Sequence, residues 1–255
     1  MSYKVGIIGM VGEELKKDRW GTLEKLAGFG YQGLEGAVMV SDDKNEMKEN
    51  RKRLADLGME TVALSCNHHH PEKLEETIEN AKILGAEYIV TYWGPAESTD
   101  QVMKMAEVLE DLAVKCEKEG LTFLYHNHEH EFEAKLGEKG RDCAFDLIYN
   151  NTEKLRFELD VAWCHFGKSD PIRLIRRCGH RIPVLHIKDL ADDNIRGYFS
   201  AIGMGVVDCF GAMEAGAAKG AKWMVVEEDR PYNLTHWESA VASILNIREA
   251  GLLIK

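Results

Sequence analysis

Eight times along its 255 residues the chain repeats one unit: a short apolar or β-branched run, then a longer stretch whose apolar residues recur at helical spacing. The runs cover residues 4–9, 31–36, 60–65, 88–93, 122–127, 155–160, 184–188 and 223–227. Successive starts lie about 27 to 40 residues apart, room for one crossover helix each. Alternating β and α units without a linker imply one parallel sheet with helices outside it. Eight such units close the sheet into a barrel, and the length is ordinary for that architecture. A chain of this size buries roughly 70–75% of its unfolded surface, so its core needs no disulfide or structural metal. The expected fold is a single (β/α)8 TIM barrel over residues 1–255. An open doubly wound sheet is the competing arrangement. It requires a glycine-rich phosphate loop after the first strand, which Gly9-Met10-Val11-Gly12 does not match.

The intervening stretches carry helix signals. Val102, Met105, Ala106, Leu109, Leu112, Ala113 and Cys116 keep i, i+3, i+4, i+7 spacing. Ser98 with Gln101, and Thr235 with Glu238, read as capping boxes. The last helix shows Trp237, Val241, Ile244 and Leu245 as its apolar face. Pro71 suits the first turn of the third helix, where a missing N–H costs nothing. Gly58, Gly85, Gly120, Gly179 and Gly220, with Asn151, stand just before strands and read as left-handed helix stops.

Strands of a parallel barrel are buried on both faces and should be apolar. Here polar residues gather at one end of them, the C-terminal end, where barrels of this kind carry their reactive groups. Strand two ends in Glu35, strand three in Asn67 and His68, and strand four in Tyr92 and Trp93. Strand five ends in His126, Asn127 and His128, and strand six in Asp160. Strand seven carries His186 and Lys188, and strand eight runs into Glu227, Glu228 and Asp229. A lone buried carboxylate or imidazole is costly. Asp, His and Glu on different strands form a mixed O/N donor set for Mn²⁺, Mg²⁺, Co²⁺, Zn²⁺ or Fe²⁺. Each residue also has a plain structural reading. Asp160 can cap the next segment, His186 can be a satisfied core histidine, and Glu227 can pair with Arg230 or Lys188. Trp93 and Trp163 read equally as core or as a substrate wall. Gly203 with Gly205 is either a plain turn or a loop lying against substrate. His68-His69-His70 reads mainly as a loop before Pro71.

The net charge of −11, from 32 basic and 43 acidic residues, repels phosphate backbones and argues against a nucleic-acid partner. Lys48 to Arg53 is the one basic stretch that stands out, and it reads as a solvated helix face. No apolar run approaches the ~20 residues of a membrane helix. The six cysteines lack any CxxC pair and read as reduced, mostly buried thiols. With no leader pattern at residues 1–10, the expectation is a cytoplasmic protein.

Five segments resemble the sugar phosphate isomerase/epimerase family, the xylose-isomerase-like barrels. Tyr125-His126-Asn127-His128-Glu129-His130-Glu131-Phe132 is similar to "YHNHxxEF", and Leu159-Asp160-Val161-Ala162-Trp163 to "LDxxW". Residues 182–189 resemble "IPxLHxKD", residues 203–208 "GxGxxD", and Val226-Glu227-Glu228-Asp229 "VEQD". The resemblance implies one divalent metal, manganese first among the candidates, held by Asp160, His186, Glu227 and a strand-five residue. Many relatives place a glutamate at that fourth position. Here either His126 replaces it, or His128 or Glu131 reaches in.

What the resemblance implies chemically is isomerisation or epimerisation of a small keto-sugar or cyclitol through an enediolate. Elimination or dehydration on the same site is the alternative, and an endonuclease-IV-like hydrolase or a non-catalytic sugar-binding barrel lies further off. Glu227, Glu131, His126 and His128 are the candidate acid–base groups. Lys188 is a donor to the developing oxyanion, or an acid if its pKa is lowered. The histidine-rich strand five is expected to supply near-neutral imidazoles. Glu35, His68 and Asp229 are expected to contact sugar hydroxyls. No arginine-rich phosphate clamp is visible, which favours an unphosphorylated substrate. Homodimers and homotetramers are the assemblies expected by analogy with the fold.

Overall fold

The computed structural model describes residues 3–253. Its main sheet is a nearly closed barrel of parallel segments. The staves are β1 (Lys4–Ile8), β2 (Gly33–Glu35), β3 (Glu60–Thr61 and Ala63–Ser65), β4 (Tyr88–Tyr92), β5 (Thr122–His126), β6 (Arg156–Asp160), β7 (Val184–Ile187) and β8 (Trp223–Val226). All eight fall within two residues of the runs read from the sequence. β3 is broken at Val62: its first piece pairs with β2 and its second with β4. The Val62 N–H bonds the Leu34 carbonyl at 2.9 Å and the Gly36 N–H bonds the Ala63 carbonyl at 3.0 Å, so hydrogen bonding continues across the break. β8 pairs with β1 on the other side.

Period-two alternation divides the core. Inward residues Val62, Ala63, Tyr88, Val90, Leu124, Val184, Trp223 and Val225 form an apolar plug inside the barrel. Outward residues, Phe123 and Tyr125 on β5 or Met224 and Val226 on β8, join the larger cluster beneath the helices. Each such side chain contributes roughly 1.5–3 kcal/mol on burial. Glycine at position 33 is a packing requirement, since a Cβ there would lie 2.4 Å from the Trp223 ring.

The helix Thr99–Lys118 buries all seven residues that its periodicity marks, from Val102 to Cys116. Thr235 and Glu238 form the reciprocal box. Ser98 caps the Gln101 N–H, but its hydroxyl donates to the Gln101 side chain, so that box is not reciprocal. In the last helix, His236–Glu249, the expected apolar face is rotated. Ser239, Ala240, Ser243, Ile244 and Ile247 are buried, Trp237 and Val241 are half-buried, and Leu245 is exposed. The Tyr31 hydroxyl bonds the Ala240 carbonyl at 2.8 Å, which draws the small residues in and leaves the bulky ones on the flanks.

Gly58, Gly85, Gly120 and Gly220 take the left-handed conformation expected of helix stops, with φ between 73° and 88°. Gly179 (φ −59°) and Asn151 (φ −111°) do not. Gly179 is small because the Lys219 side chain fills the space of its Cβ. All six cysteines are free thiols, five of them buried and Cys143 half-buried. Among the described residues no helix is long and apolar enough to cross a membrane.

After β7, Asp189–Leu190 pairs antiparallel with Phe199–Ser200. The chain then wraps the buried Asp189 carboxylate, which accepts the N–H groups of Gly203 (3.0 Å), Gly205 (2.9 Å) and Val207 (3.0 Å). The Gly203–Gly205 segment is therefore a turn built on Asp189. A Cβ at position 205 would strike the Leu190 carbonyl oxygen at 2.1 Å.

Candidate metal centre

The register of the barrel sets the site. His126 on β5 stands level with Glu158 on β6, and Asp160 on β6 stands level with His186 on β7. Glu227 follows β8, its N–H bonded to the Ile187 carbonyl at 3.2 Å. Four successive staves thereby direct side chains to one point. A donor atom from each of His126, Asp160, His186 and Glu227 lies within 4.8 Å of the others. Glu35, Glu158 and His186 form an overlapping trio that meets the same criterion.

Asp160 fits both of its sequence readings. Its Oδ1 accepts the Trp163 N–H at 2.8 Å and so caps the helix Val161–Phe166. Its Oδ2 is buried without a hydrogen-bond partner and sits 3.2 Å from the Lys188 ammonium. Two imidazoles and two carboxylates, one of them with a buried oxygen that only the Lys188 ammonium approaches, are donors that suit a divalent first-row ion, so the residues fit the implied metal. Asn127 fixes the ends of two staves: its amide donates to the Asp160 carbonyl at 3.2 Å and accepts the Asp160 N–H at 3.1 Å.

Charges at the site are strongly coupled. Burial opposes a charged His186, but Glu158, Glu35 and Glu227 outweigh it and hold its pKa well above the ordinary value. Burial likewise opposes ionisation of Glu227, yet Lys188 and His186 hold it well below the carboxylate range. Glu35 moves the other way, pushed up by burial and by the neighbouring Glu158. The Lys188 ammonium is 2.8 Å from Glu227 and 2.8 Å from Asp229, above the Trp163 and Phe199 rings at 5.2 and 4.9 Å. Burial works against its charge, but Asp160, Glu227 and Asp229 raise its pKa above the usual lysine value. Lys188 is thus a fixed cation, and the expectation of a lowered lysine pKa gives way. Of the two plain readings of Glu227, Lys188 is the partner.

A cavity of about 290 Å³ opens above these groups, near the lower end of the ~300–1,000 Å³ usual for small-molecule sites. It is lined by Glu35, Tyr92, His126, His128, Glu158, His186, Glu227 and Asp229, with Ile8, Ser65 and Val90. Other candidates stand back from it. Glu131 is fully buried behind the strand, accepting the Tyr125 hydroxyl at 2.6 Å and the His128 N–H at 2.8 Å, which turns it from the cavity. His68 is buried against the Thr91 hydroxyl. Trp163 packs edge-on against Phe199 within the core. Trp93 is 54% exposed at the mouth, with a left-handed φ of 65° that is strained for a bulky residue. Its ring meets His128 edge-on at 4.7 Å.

His128 departs from expectation. Burial, with the charges of His126 and Lys188, pulls its pKa down to about 2. It is a neutral imidazole and not the near-neutral acid expected of strand five.

Glu158 went unread in the sequence, although it belongs to the cluster. The signal was present: side chains two apart on a strand share a face, so an inward Asp160 makes Glu158 inward too. Burial resists its ionisation, but His186 and His126 hold its pKa below the carboxylate range.

A family model described as xylose isomerase-like TIM barrel matches residues 23–249. Among solved structures, a sugar phosphate isomerase/epimerase from Parabacteroides distasonis ATCC 8503 superposes with TM-score 0.82 at 22% identity, covering 98% of this chain and 100% of its own. An L-ribulose 3-epimerase gives 0.72 at 17% identity, over 97% and 94% of the two chains. The IolI protein, solved with a bound zinc atom, gives 0.72 at 20% identity, over 99% of each. No curated protein matches the chain. Identities this low support the fold alone, whereas the family match covers most of the sequence: the chain belongs to the xylose isomerase-like TIM barrel family.

Proposed function

We propose that the chain is a divalent-metal-dependent isomerase or epimerase of a small, unphosphorylated keto-sugar or related polyol, with manganese the first choice of ion. The reading is carried by the convergence of His126, Asp160, His186 and Glu227 on one point beneath the mouth cavity. The lining offers carboxylates and imidazoles to hydroxyl groups and includes no arginine. The nearby cation, Lys188, is committed to three carboxylates, so a phosphate would find no clamp.

When bound, the ion acts as a Lewis acid on a carbonyl and its neighbouring hydroxyl, an effect worth several kcal/mol. The chain's own groups divide the remaining work. Glu227, ionised and largely buried but lining the cavity, is the base for the proton on the carbon beside the carbonyl, which it must approach to about 3 Å. Lys188, held by Asp160, Glu227 and Asp229, fixes those carboxylates and supplies a positive charge close to where negative charge develops. Glu35 reaches His186 from the ring nitrogen opposite the one that faces Glu227. Its raised pKa lets it hold a proton and return it from the other side, as epimerisation requires. His128 and Asp229 bind hydroxyls, the first as a neutral imidazole and the second from the half-exposed rim.

Elimination on the same site is the second reading, and Glu35 favours it too, because a protonated carboxyl can give its proton to a leaving oxygen. The experiment is incubation with Mn²⁺ and a panel of ketoses, keto-glycosides and inososes in D₂O, read by NMR. We expect about one equivalent of metal by elemental analysis. We also expect deuterium beside the carbonyl, and loss of both in Asp160→Ala and His186→Ala; product identity then separates epimer, isomer and alkene. No metal after Mn²⁺ incubation, or full retention in both variants, overturns the proposal.

A further inference from the structure

An imidazole that binds a metal through one nitrogen leaves an N–H on the other, and metal sites supply an acceptor for it that fixes tautomer and ring orientation. In this barrel one oxygen is placed to serve two rings. Glu158 Oε2 lies 3.0 Å from His126 Nδ1 and 3.1 Å from His186 Nε2. The rings approach it from β5 and β7, the two neighbours of its own stave, with centroids 4.6 Å apart and planes at 68°. Their other nitrogens, His126 Nε2 and His186 Nδ1, are then free for the centre; His186 Nδ1 already lies 2.9 Å from Glu227.

Among the described residues the two rings are the hydrogen-bond and ion-pair partners of the Glu158 carboxylate. It is 1% exposed, and its second oxygen, Oε1, is buried with no partner. A buried carboxylate with one oxygen unused carries a desolvation cost that only its two imidazole partners offset. A residue retained at such a cost, between two imidazoles of one cluster, has its use in those imidazoles.

We propose that Glu158 is a positioning residue: a single outer carboxylate that orients His126 and His186 together toward the ion. This rests on the metal-dependent reading above. It makes the two histidines one mechanical unit, since anything that moves Glu158 moves both rings. Glu35, 3.3 Å from His186 Nε2, reaches only one of them.

The test is Co²⁺ affinity and the visible spectrum of the Co²⁺-loaded protein, for wild type, Glu158→Gln, Glu158→Leu, His126→Ala and the double variant His126→Ala/Glu158→Gln. Thermal melts of the metal-free proteins accompany them. We expect Glu158→Gln and Glu158→Leu to weaken Co²⁺ binding by about 10–100-fold; the metal-free melt of Glu158→Gln, whose amide oxygen can still accept an imidazole N–H, should stay nearer wild type than that of Glu158→Leu, which leaves both rings unpaired. The intensity of the d–d bands should stay unchanged, as it would not if a ligand were lost. In the His126→Ala background, Glu158→Gln should cost at least threefold less than in wild type. Binding within threefold of wild type in both Glu158 variants overturns the inference while leaving the metal site standing. So does a change in d–d intensity, or full additivity with His126→Ala, since either would make Glu158 a ligand in its own right. A wild-type protein that binds no Co²⁺ overturns this inference together with the reading beneath it.

Discussion

Replacing Asp189 by alanine removes the one acceptor on which the segment from Gly203 to Val207 is folded. Three N–H groups lose their partner. A buried donor left unsatisfied costs about 1–3 kcal/mol, and water reduces that where it can enter. Gly203 and Gly205 are exposed and can be rehydrated, at about 1 kcal/mol each; Val207 is buried and bears the larger cost, about 2 kcal/mol. The sum is about 4 kcal/mol. For a chain of this size that is roughly 8–16 °C in melting temperature. The neighbouring Asp208→Ala is the control. Asp208 caps the helix Cys209–Ala218 through the Gly211 N–H at 2.9 Å, and loss of an N-cap costs about 1 kcal/mol, or roughly 2–4 °C. Urea unfolding followed by circular dichroism, with a thermal melt beside it, measures both. If Asp189→Ala loses no more than Asp208→Ala, the three N–H bonds do not hold this segment and its folding must be explained otherwise.

Three further outcomes follow from the same structure. Arg181→Met should cost about 2–3 kcal/mol, because the buried guanidinium bonds the carbonyls of Tyr149, Thr152 and Leu155 and the Thr152 hydroxyl, and methionine removes all of these bonds, leaving the Thr152 hydroxyl only its bond to the Ile148 carbonyl and the Leu155 carbonyl only its bond from Arg156; a melt within 3 °C of wild type would refute this. His128 should show no protonation in NMR titration between pH 5 and 9, as its pKa lies near 2. With the folded pKa depressed, its contribution to stability is full above an unfolded value of about 6.5 and is lost as pH falls below it. His128→Gln should flatten that acid limb, and a resolved titration above pH 5 contradicts the assignment. Mn²⁺ at a hundredfold excess over its dissociation constant should add about 2.7 kcal/mol, and chelation should remove it. On this chain that is roughly 5–11 °C, read by differential scanning.

Strand periodicity and four of the six expected helix stops made the barrel legible, because both arise mainly from local backbone chemistry; Gly179 and Asn151 are the exceptions. The face of the last helix was not legible. Its buried face includes the Ala240 carbonyl, which accepts the Tyr31 hydroxyl across 209 positions of chain, and Trp237 and Leu245 carry no mark of that contact. Asp160, His186 and Glu227 stand out in the sequence because each is a metal-ligand type at the end of an apolar stave, and the fold brings their donor atoms together. Glu131 was misplaced for the converse reason. It has the right chemistry and position in the motif, but Tyr125 and the His128 N–H turn it behind the strand. Glu158 was overlooked because it lies within the apolar run, where a charge is not expected.

That position shows how the barrel accommodates its charged end. On β5, β7 and β8 the inward side chains change from apolar to ionisable in one two-residue step: Leu124 to His126, Val184 to His186, Val225 to Glu227. On β6 the change comes one step earlier, since Glu158 already takes the place of an apolar residue below Asp160. The stagger between neighbouring staves sets Glu158 level with His126 on one side and with Val184 on the other. It therefore sits at the boundary between the apolar plug and the polar mouth, beside His126 and one step below His186. An apolar residue there would extend the plug. It would also leave the inner N–H of each imidazole facing hydrocarbon, with a full desolvation cost on each. The charge at 158 and the histidines at 126 and 186 are thus one decision of the sequence: with both histidines present, β6 must turn polar one layer early.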